Sequence, residues 1–209
     1  MWMIASLISL ALADAPDYPD LQVAFHAGLL QPTLLRGFNA AADVRVGRFV
    51  ASYSHGEGLD LTRVGLPAEQ RAAGVQLRVP WTTGFGIGAT LVDELYVLAD
   101  FKVHRAEVDT GIDVRAYSTV TIGAEVGYRL FVWEGFYVSP VVRYWPNVWT
   151  SAPGGFAIET DAGTFQHDPI QQGARGLFAN VLVGWAFDVR GERRSRTLFG
   201  SRKGKVTSR

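Results

Sequence analysis

Strict two-residue alternation over unusually long segments, tight turns interleaved with longer loops, and a low charged fraction together predict an all-β chain, an antiparallel up-and-down barrel of eight strands. Of the 209 residues, 48% are hydrophobic, which excludes a disordered chain. Only 19% are charged, against roughly 25% in soluble domains. There is no Cys. Disulfide scaffolds, Cys-ligated zinc, iron–sulfur centres and thiol nucleophiles are therefore excluded together.

Trp2 to Ala13 is an uncharged run of twelve residues. A membrane-spanning helix needs about 20, so the run fits the apolar core of a secretory signal peptide, with Ala11-Leu12-Ala13 as the cleavage pattern and a leader at 1–13. It lacks the usual basic start, and a buried N-terminal helix is the alternative. The first strand is expected near 21–30, where Leu21, Val23, Phe25, Ala27 and Leu29 alternate with Gln22, Ala24, His26 and Gly28. A second is expected at 42–53. From Val75 to Leu91 one odd-numbered phase runs through Val75, Leu77, Val79, Trp81, Thr83, Phe85, Ile87, Ala89 and Leu91, which predicts one long strand in spite of Pro80.

Further strands are expected at 95–108, where Leu95, Val97, Ala99, Phe101 and Val103 alternate with Asp100, Lys102 and His104, and at 114–132, 136–150 and 175–189. These make seven, and a single-chain bacterial barrel takes an even number. Gly58–Gly65 is the leading candidate for the eighth. Alternatively, 54–74 is one loop with a helix around Ala68–Ala73, and the missing strand lies in the N-terminal segment.

Strands of this length with a single apolar phase need a large apolar partner on one side. At about 3.3 Å per residue, the run from Val75 to Leu91 outreaches a hydrocarbon layer of about 30 Å even when tilted. Val92-Asp93-Glu94 and Val132 to Gly135 read as tight turns, whereas Ala152 to Ala174 is a long loop. Short connections at one end and longer ones at the other suit a transmembrane barrel, and closure removes edges that lipid could not satisfy. Tyr128, Trp133, Tyr137, Tyr144, Trp145, Trp149 and Trp185 lie near strand ends, where two interfacial girdles would place them.

Residues 20–189 thus resemble a small outer-membrane β-barrel protein of Gram-negative bacteria, of the eight-stranded size class, most clearly in the terminal strand GLFANVLVGWAFDV. The resemblance implies residence in the cell outer membrane, contact with its lipids and delivery by the outer-membrane insertion machinery. Such barrels usually end on an aromatic residue. Here Phe187 is instead followed by residues 190–209, a basic tail with eight Lys/Arg and one Glu that contains Phe199. That segment carries +7 and the rest of the chain −7, so the neutral total describes neither part.

With the apolar phase outward, Arg78, Asp100, Lys102, His104, Glu125, Arg129 and Arg143 face the lumen, as do Gln76, Thr121 and Ser139. An eight-stranded lumen is only wide enough to be filled by side chains, so a paired polar network is expected and a conducting channel is not. The expected role is structural, adhesive or interaction-mediating.

Other function classes find less support. Ser54-His55-Gly56-Glu57 contains the residue types of a lipid hydrolase, the alternative being a lipid A deacylase or acyltransferase, yet adjacent strand residues point to opposite faces. No catalytic residue is assigned. His26, His55, His104 and His167 are scattered without metal-ligand spacing, so neither metal nor cofactor is expected. Gly84, Gly86 and Gly88 lie on one strand face with no helix following, so they mark close packing and not a dinucleotide loop. The acidic body, without interleaved aromatic and basic residues, excludes nucleic acid. A soluble lipocalin-like barrel would show the same alternation with the apolar phase inward. Strand length and the low charged fraction weigh against it.

Overall fold

The computed structural model describes residues 18–169 and 176–190. The expected leader at 1–13 and the basic tail beyond Arg190 lie outside the described residues. The chain forms β1 (Leu21–Gly28), α1 (Leu30–Leu34), β2 (Phe38–Val46), β3 (Phe49–Asp60), α2 (Thr62–Gly65) and α3 (Ala68–Ala72). Then come β4 (Gln76–Val92), β5 (Leu95–Asp109), β6 (Val114–Tyr128), β7 (Leu130–Trp133), β8 (Phe136–Tyr144) and β9 (Asn147–Thr150). A hairpin of β10 (Phe156–Thr160) and β11 (Gly163–His167) precedes the last strand, β12 (Leu177–Arg190).

Hydrogen bonding closes a ring in the order β1, β2, β3, β4, β5, β6, β8, β12 and back to β1, antiparallel at every seam. β7 prolongs β6 past Arg129, and β9 prolongs β8 past Trp145-Pro146, so each of these pairs is one interrupted barrel strand. The barrel has eight strands.

The eighth strand comes from 38–60, not from either predicted place. Gly47-Arg48 forms a two-residue hairpin between Val46 and Phe49, which pair directly. A two-residue loop puts its flanking residues opposite each other and on the same face, so the apolar parity must invert across it. It does so here, from even (Ala42, Val44, Val46) to odd (Phe49, Ala51, Tyr53). Of the Gly58–Gly65 candidate, Gly58 to Asp60 completes β3 and Thr62–Gly65 is helical, while α3 occupies the expected helical stretch near Ala68.

The connections segregate by length. Gly47-Arg48, Asp93-Glu94 and Glu134-Gly135 close two-residue turns at one end, where β1 also begins and β12 finishes. Asp93 and Glu134 adopt left-handed backbone there, with φ of 48° and 26°. The opposite end carries α1, the α2–α3 segment, the Thr110–Asp113 turn and the long β9–β12 connection with its hairpin. These are called the turn end and the loop end below.

The barrel wall changes chemistry partway up. From the turn end to the level of Trp81, the outward face of β4 carries Trp81, Thr83, Phe85, Ile87, Ala89 and Leu91, while Thr82, Gly84, Gly86 and Thr90 face inward. Above that level the sense reverses. On β4 a one-residue bulge between Arg78 and Trp81, at Pro80, turns Val75, Leu77 and Val79 inward and leaves Gln76 and Arg78 exposed. Beside it, Gly58 of β3 (φ 67°) brings Leu59 into the interior although Glu57 faces out. The single phase expected from Val75 to Leu91 is thus two phases, and Arg78 and Gln76 do not face the lumen.

On β5 the phase is kept but the residue types exchange. Leu95 to Val103 are apolar outward with Asp100, Lys102 and His104 inward; beyond them Arg105, Glu107 and Asp109 face out, and Ala106 and Val108 are buried. The inward groups of the upper part form a core of Leu35, Leu59, Leu66, Val75, Leu77, Val79, Ala106, Val108, Tyr117 and Ile158, with Phe156 and Phe165 of the hairpin packed against it.

Candidate functional site

Between the turns and this apolar cap the lumen holds a layered polar network. At the turn end both terminal nitrogens of Arg45 donate to Glu94 at 3.1 Å. Tyr18 lies over this pair, its ring 5.5 Å from the Arg45 guanidinium and its hydroxyl donating to the Asp93 carbonyl at 2.8 Å. Gln22 donates to Asp188 at 2.6 Å.

The next layer centres on Arg129, which is 2% exposed. It pairs with Asp43, donates to Gln22 at 3.3 Å, and has the Tyr96 and Tyr137 rings 5.2 and 5.3 Å away. His26 shares a 3.0 Å hydrogen bond with the Tyr137 hydroxyl and lies 3.6 Å from Asp43. Burying charge is costly unless it is paired and hydrogen-bonded, and this arrangement meets that condition with Asp, Gln and Tyr side chains around one guanidinium.

Above it, Arg143 pairs with Glu125, which also accepts the Tyr96 hydroxyl at 2.9 Å. The Trp145 ring carries two cations, the Lys102 amine at 4.6 Å and the Arg143 guanidinium at 4.9 Å, and its indole N–H donates to Asp100 at 3.1 Å. His104 completes the stack, hydrogen-bonded to Thr82 at 2.9 Å and Thr121 at 3.1 Å. Val50, Leu98, Val141 and Leu182 pack with Tyr96 into one buried apolar cluster.

Glycine makes room for this filling. A Cβ at Gly88 would stand 1.9 Å from the Val97 carbonyl oxygen, and one at Gly123 would stand 1.8 Å from that of Tyr144. The wall is there too tightly coiled to carry a side chain.

Of the residues read from sequence as luminal, Asp100, Lys102, His104, Glu125, Arg129 and Arg143 come together in this stack, and Arg78 does not. The aromatic set divides. Tyr128, Trp133, Tyr144, Trp149 and Trp185 lie on the outward face. Tyr137 is fully buried beside Arg129, and Trp145 turns inward to Asp100, so these two are luminal residues and not girdle residues. Both continue the odd-numbered inward phase of β8, with Ser139, Val141 and Arg143, and the break at Trp145-Pro146 instead reverses the parity for Trp149, which faces out while Thr150 is buried.

Sequence reading misses Gln22, His26, Asp43, Arg45, Glu94, Tyr96 and Asp188. Asp43 and Arg45 sit inside what reads as one strand. Glu94 sits in a turn, and no periodic signal assigns a turn residue to a lumen. Gln22 and His26 lie on the expected inward phase of β1, which is the signal that could have found them.

The cap is tied down by its own polar pair. The Tyr117 hydroxyl and His167 Nε2 lie 3.0 Å apart beneath the hairpin, with Phe156 and His167 rings against the Tyr117 ring. Burial pushes the Tyr117 phenol up from its ordinary range, so it stays protonated. Elsewhere, Ser54 faces the lumen while His55 and Glu57 pair on the outer face at 3.2 Å. Among the described residues no three His, Asp or Glu gather in a metal-binding arrangement, and no helix is long and apolar enough to cross a membrane.

No family model matches the chain, and no curated protein is significantly similar to it. Among solved structures, the chain is similar to Neisserial surface protein A (NspA), with a TM-score of 0.44 and 10% identity over 80% of this chain and 94% of that one. It is also similar to a major outer membrane protein from Thermus thermophilus, with a TM-score of 0.37 and 11% identity over 80% of this chain and 98% of that one. The fold itself rests on the hydrogen-bonded ring: the chain is a closed, antiparallel, eight-stranded β-barrel.

Proposed function

We propose that this chain is an integral outer-membrane β-barrel protein that serves a structural or interaction role, its lumen filled and its loop end presented to water. The observation that carries this is the inversion of polarity at the level of Trp81 and Arg105. Below it the wall is apolar outside and polar inside, as a lipid solvent requires. Above it the wall is polar outside and apolar inside, as water requires. A soluble ligand-binding barrel has no reason to invert.

The dimensions agree. From Trp81 to Leu91 the outward apolar face of β4 spans ten residue steps, which at a tilt near 40° and about 3.3 Å per step covers about 25 Å of bilayer. The aromatic residues Phe49, Trp133, Phe136, Trp185 and Phe187 flank the turn end of this band, and Phe38, Trp81 and Trp149 the loop end. Hydrolysis of lipid finds no support in Ser54 and His55, which face opposite sides of the wall.

Cell fractionation tests the reading directly. The protein should resist salt and carbonate extraction, dissolve only in detergent, and migrate differently on gels before and after boiling. Recovery in the soluble fraction would overturn it.

A further inference from the structure

The ring is closed at every seam, and at the loop end β6 is one of the strands that continue beyond a partner. On the side of β6 away from β5, the Ser118 carbonyl accepts the Ser151 N–H and the Ser118 N–H donates to Ser151 Oγ, both at 2.9 Å. There the chain leaves towards the β10–β11 hairpin. β6 runs on to Val114 with β5 on its other side. Backbone groups alternate sides along a strand, so Ala116 and Val114 present N–H and C=O in the direction Ser118 does. Among the described residues none pairs with them there.

This is an open sheet edge of the kind natural proteins usually blunt. It carries no proline or bulge, and its one charged side chain, Arg115, is held by Asp113 and lies over the Phe156 ring. Val114 is 57% exposed, Ala116 is exposed, and Ile112 in the adjoining turn is 68% exposed. On the inner side the edge borders a cleft lined by Thr110, Ile112, Asp113, Arg115, Ile158 and Glu159. An added strand would set alternate side chains into this cleft and against Val114 and Ala116.

The surroundings select the charge of the occupant. Glu107, Asp109 and Asp113 lie on or between β5 and β6, and Glu159, Asp161 and Asp168 on or beside the hairpin. Against these six carboxylates stand Arg105, Arg115 and, across from Glu107 on β4, Arg78, and Arg115 already pairs with Asp113 at 3.0 Å.

We propose that the β6 edge from Val114 to Ala116 is a docking site where an extended basic peptide segment of another protein adds as a strand. Main-chain bonds to Val114 and Ala116 supply affinity, the cleft supplies side-chain preference, and the acidic cap supplies attraction and on-rate. The site rests on the membrane reading only in taking the loop end to stand clear of the bilayer.

The test uses the full chain in zwitterionic detergent micelles with a synthetic octapeptide alternating Lys and Val. Binding is followed by fluorescence polarisation and by hydrogen exchange of backbone amides. The expected result is saturable binding, weakened at least tenfold when two central residues of the peptide are proline, with new protection at the Val114 and Ala116 amides.

Ala116→Pro removes an N–H that β5 does not use, so the barrel should keep its heat-modifiable migration while peptide affinity falls at least tenfold. Glu159→Gln with Asp161→Asn should weaken binding severalfold and flatten its salt dependence. Absence of binding, protection elsewhere, equal binding of the proline peptide, or self-association that protects Ala116 without peptide would each overturn the proposal. The amide measurement on the unaltered protein decides even if a variant fails to fold. Failure here would leave detergent extraction and gel migration unchanged.

Discussion

Replacing Arg129 by Met should destabilise the barrel more than any other single change in the lumen. The guanidinium is 2% exposed and its partner Asp43 is 3% exposed. The substitution keeps most of the side-chain volume but removes the Asp43 pair, the Gln22 hydrogen bond and the contacts with the Tyr96 and Tyr137 rings. It leaves the Asp43 carboxylate buried with His26 as its nearest basic group among the described residues, at 3.6 Å.

Breaking a buried pair in this way costs about 3–5 kcal/mol, mostly through the orphaned charge. With a urea dependence of about 2 kcal/mol per molar, the unfolding midpoint should fall by about 2 M. Urea titration in lipid vesicles, read by the fraction migrating as folded on unboiled gels, measures this. Removing the second charge as well, with Arg129→Met and Asp43→Asn, should restore at least about half of the loss, because neutral groups of similar shape replace both ions. A single-variant loss below about 1 kcal/mol, or a double variant no more stable than the single one, would refute the account of Arg129 as the hub of the network.

Four further outcomes are expected. Gly88→Ala and Gly123→Ala should each cost at least about 2 kcal/mol, since the new methyl meets main-chain carbonyls, whereas Ala40→Gly on the outward face should change little; the same urea titration reads all three. Planar bilayers containing the purified protein should show no steady open level, and replacing residues 153–168 by a short Gly/Ser linker should not create one, because side chains fill the lumen below the cap. In single-tryptophan variants, brominated lipids should quench Trp133 and Trp185 strongly and Trp145 weakly. Tyr117→Phe should cost the cap about 1 kcal/mol, seen as faster proteolysis within 156–167 while the barrel band survives.

Much of the barrel is legible in its alternation, because the wall keeps one apolar and one polar face and a period of two records that directly. What is not legible has common physical causes. The hairpin at Gly47-Arg48 shows itself only as a parity change, and Arg48 is not a residue that marks turns. At Pro80 the apolar residues keep odd numbers on both sides while their direction reverses, since the bulge adds one residue where the outward face changes from polar to apolar. Trp145 and Tyr137 have the composition of interfacial aromatics, yet both fall on the odd phase that Ser139 and Arg143 mark as inward, so there residue type masks a signal that the alternation holds. Glu94 reaches Arg45 from a turn, where periodicity carries no information.

The seam between β1 and β12 joins residues at the two ends of the described chain, with Leu21 set against Arg190. No barrel can close until both are present, so this contact is among the longest-range that the sequence permits. The ring is therefore finished by a contact of high sequence separation, and the loop-closure entropy falls on that last step. Until then the apolar faces of β4, β5 and β12 belong to an unclosed sheet, and in water they form a ready template for aggregation. The time between synthesis and closure, more than the stability of the closed state, is where this chain is most exposed to aggregation.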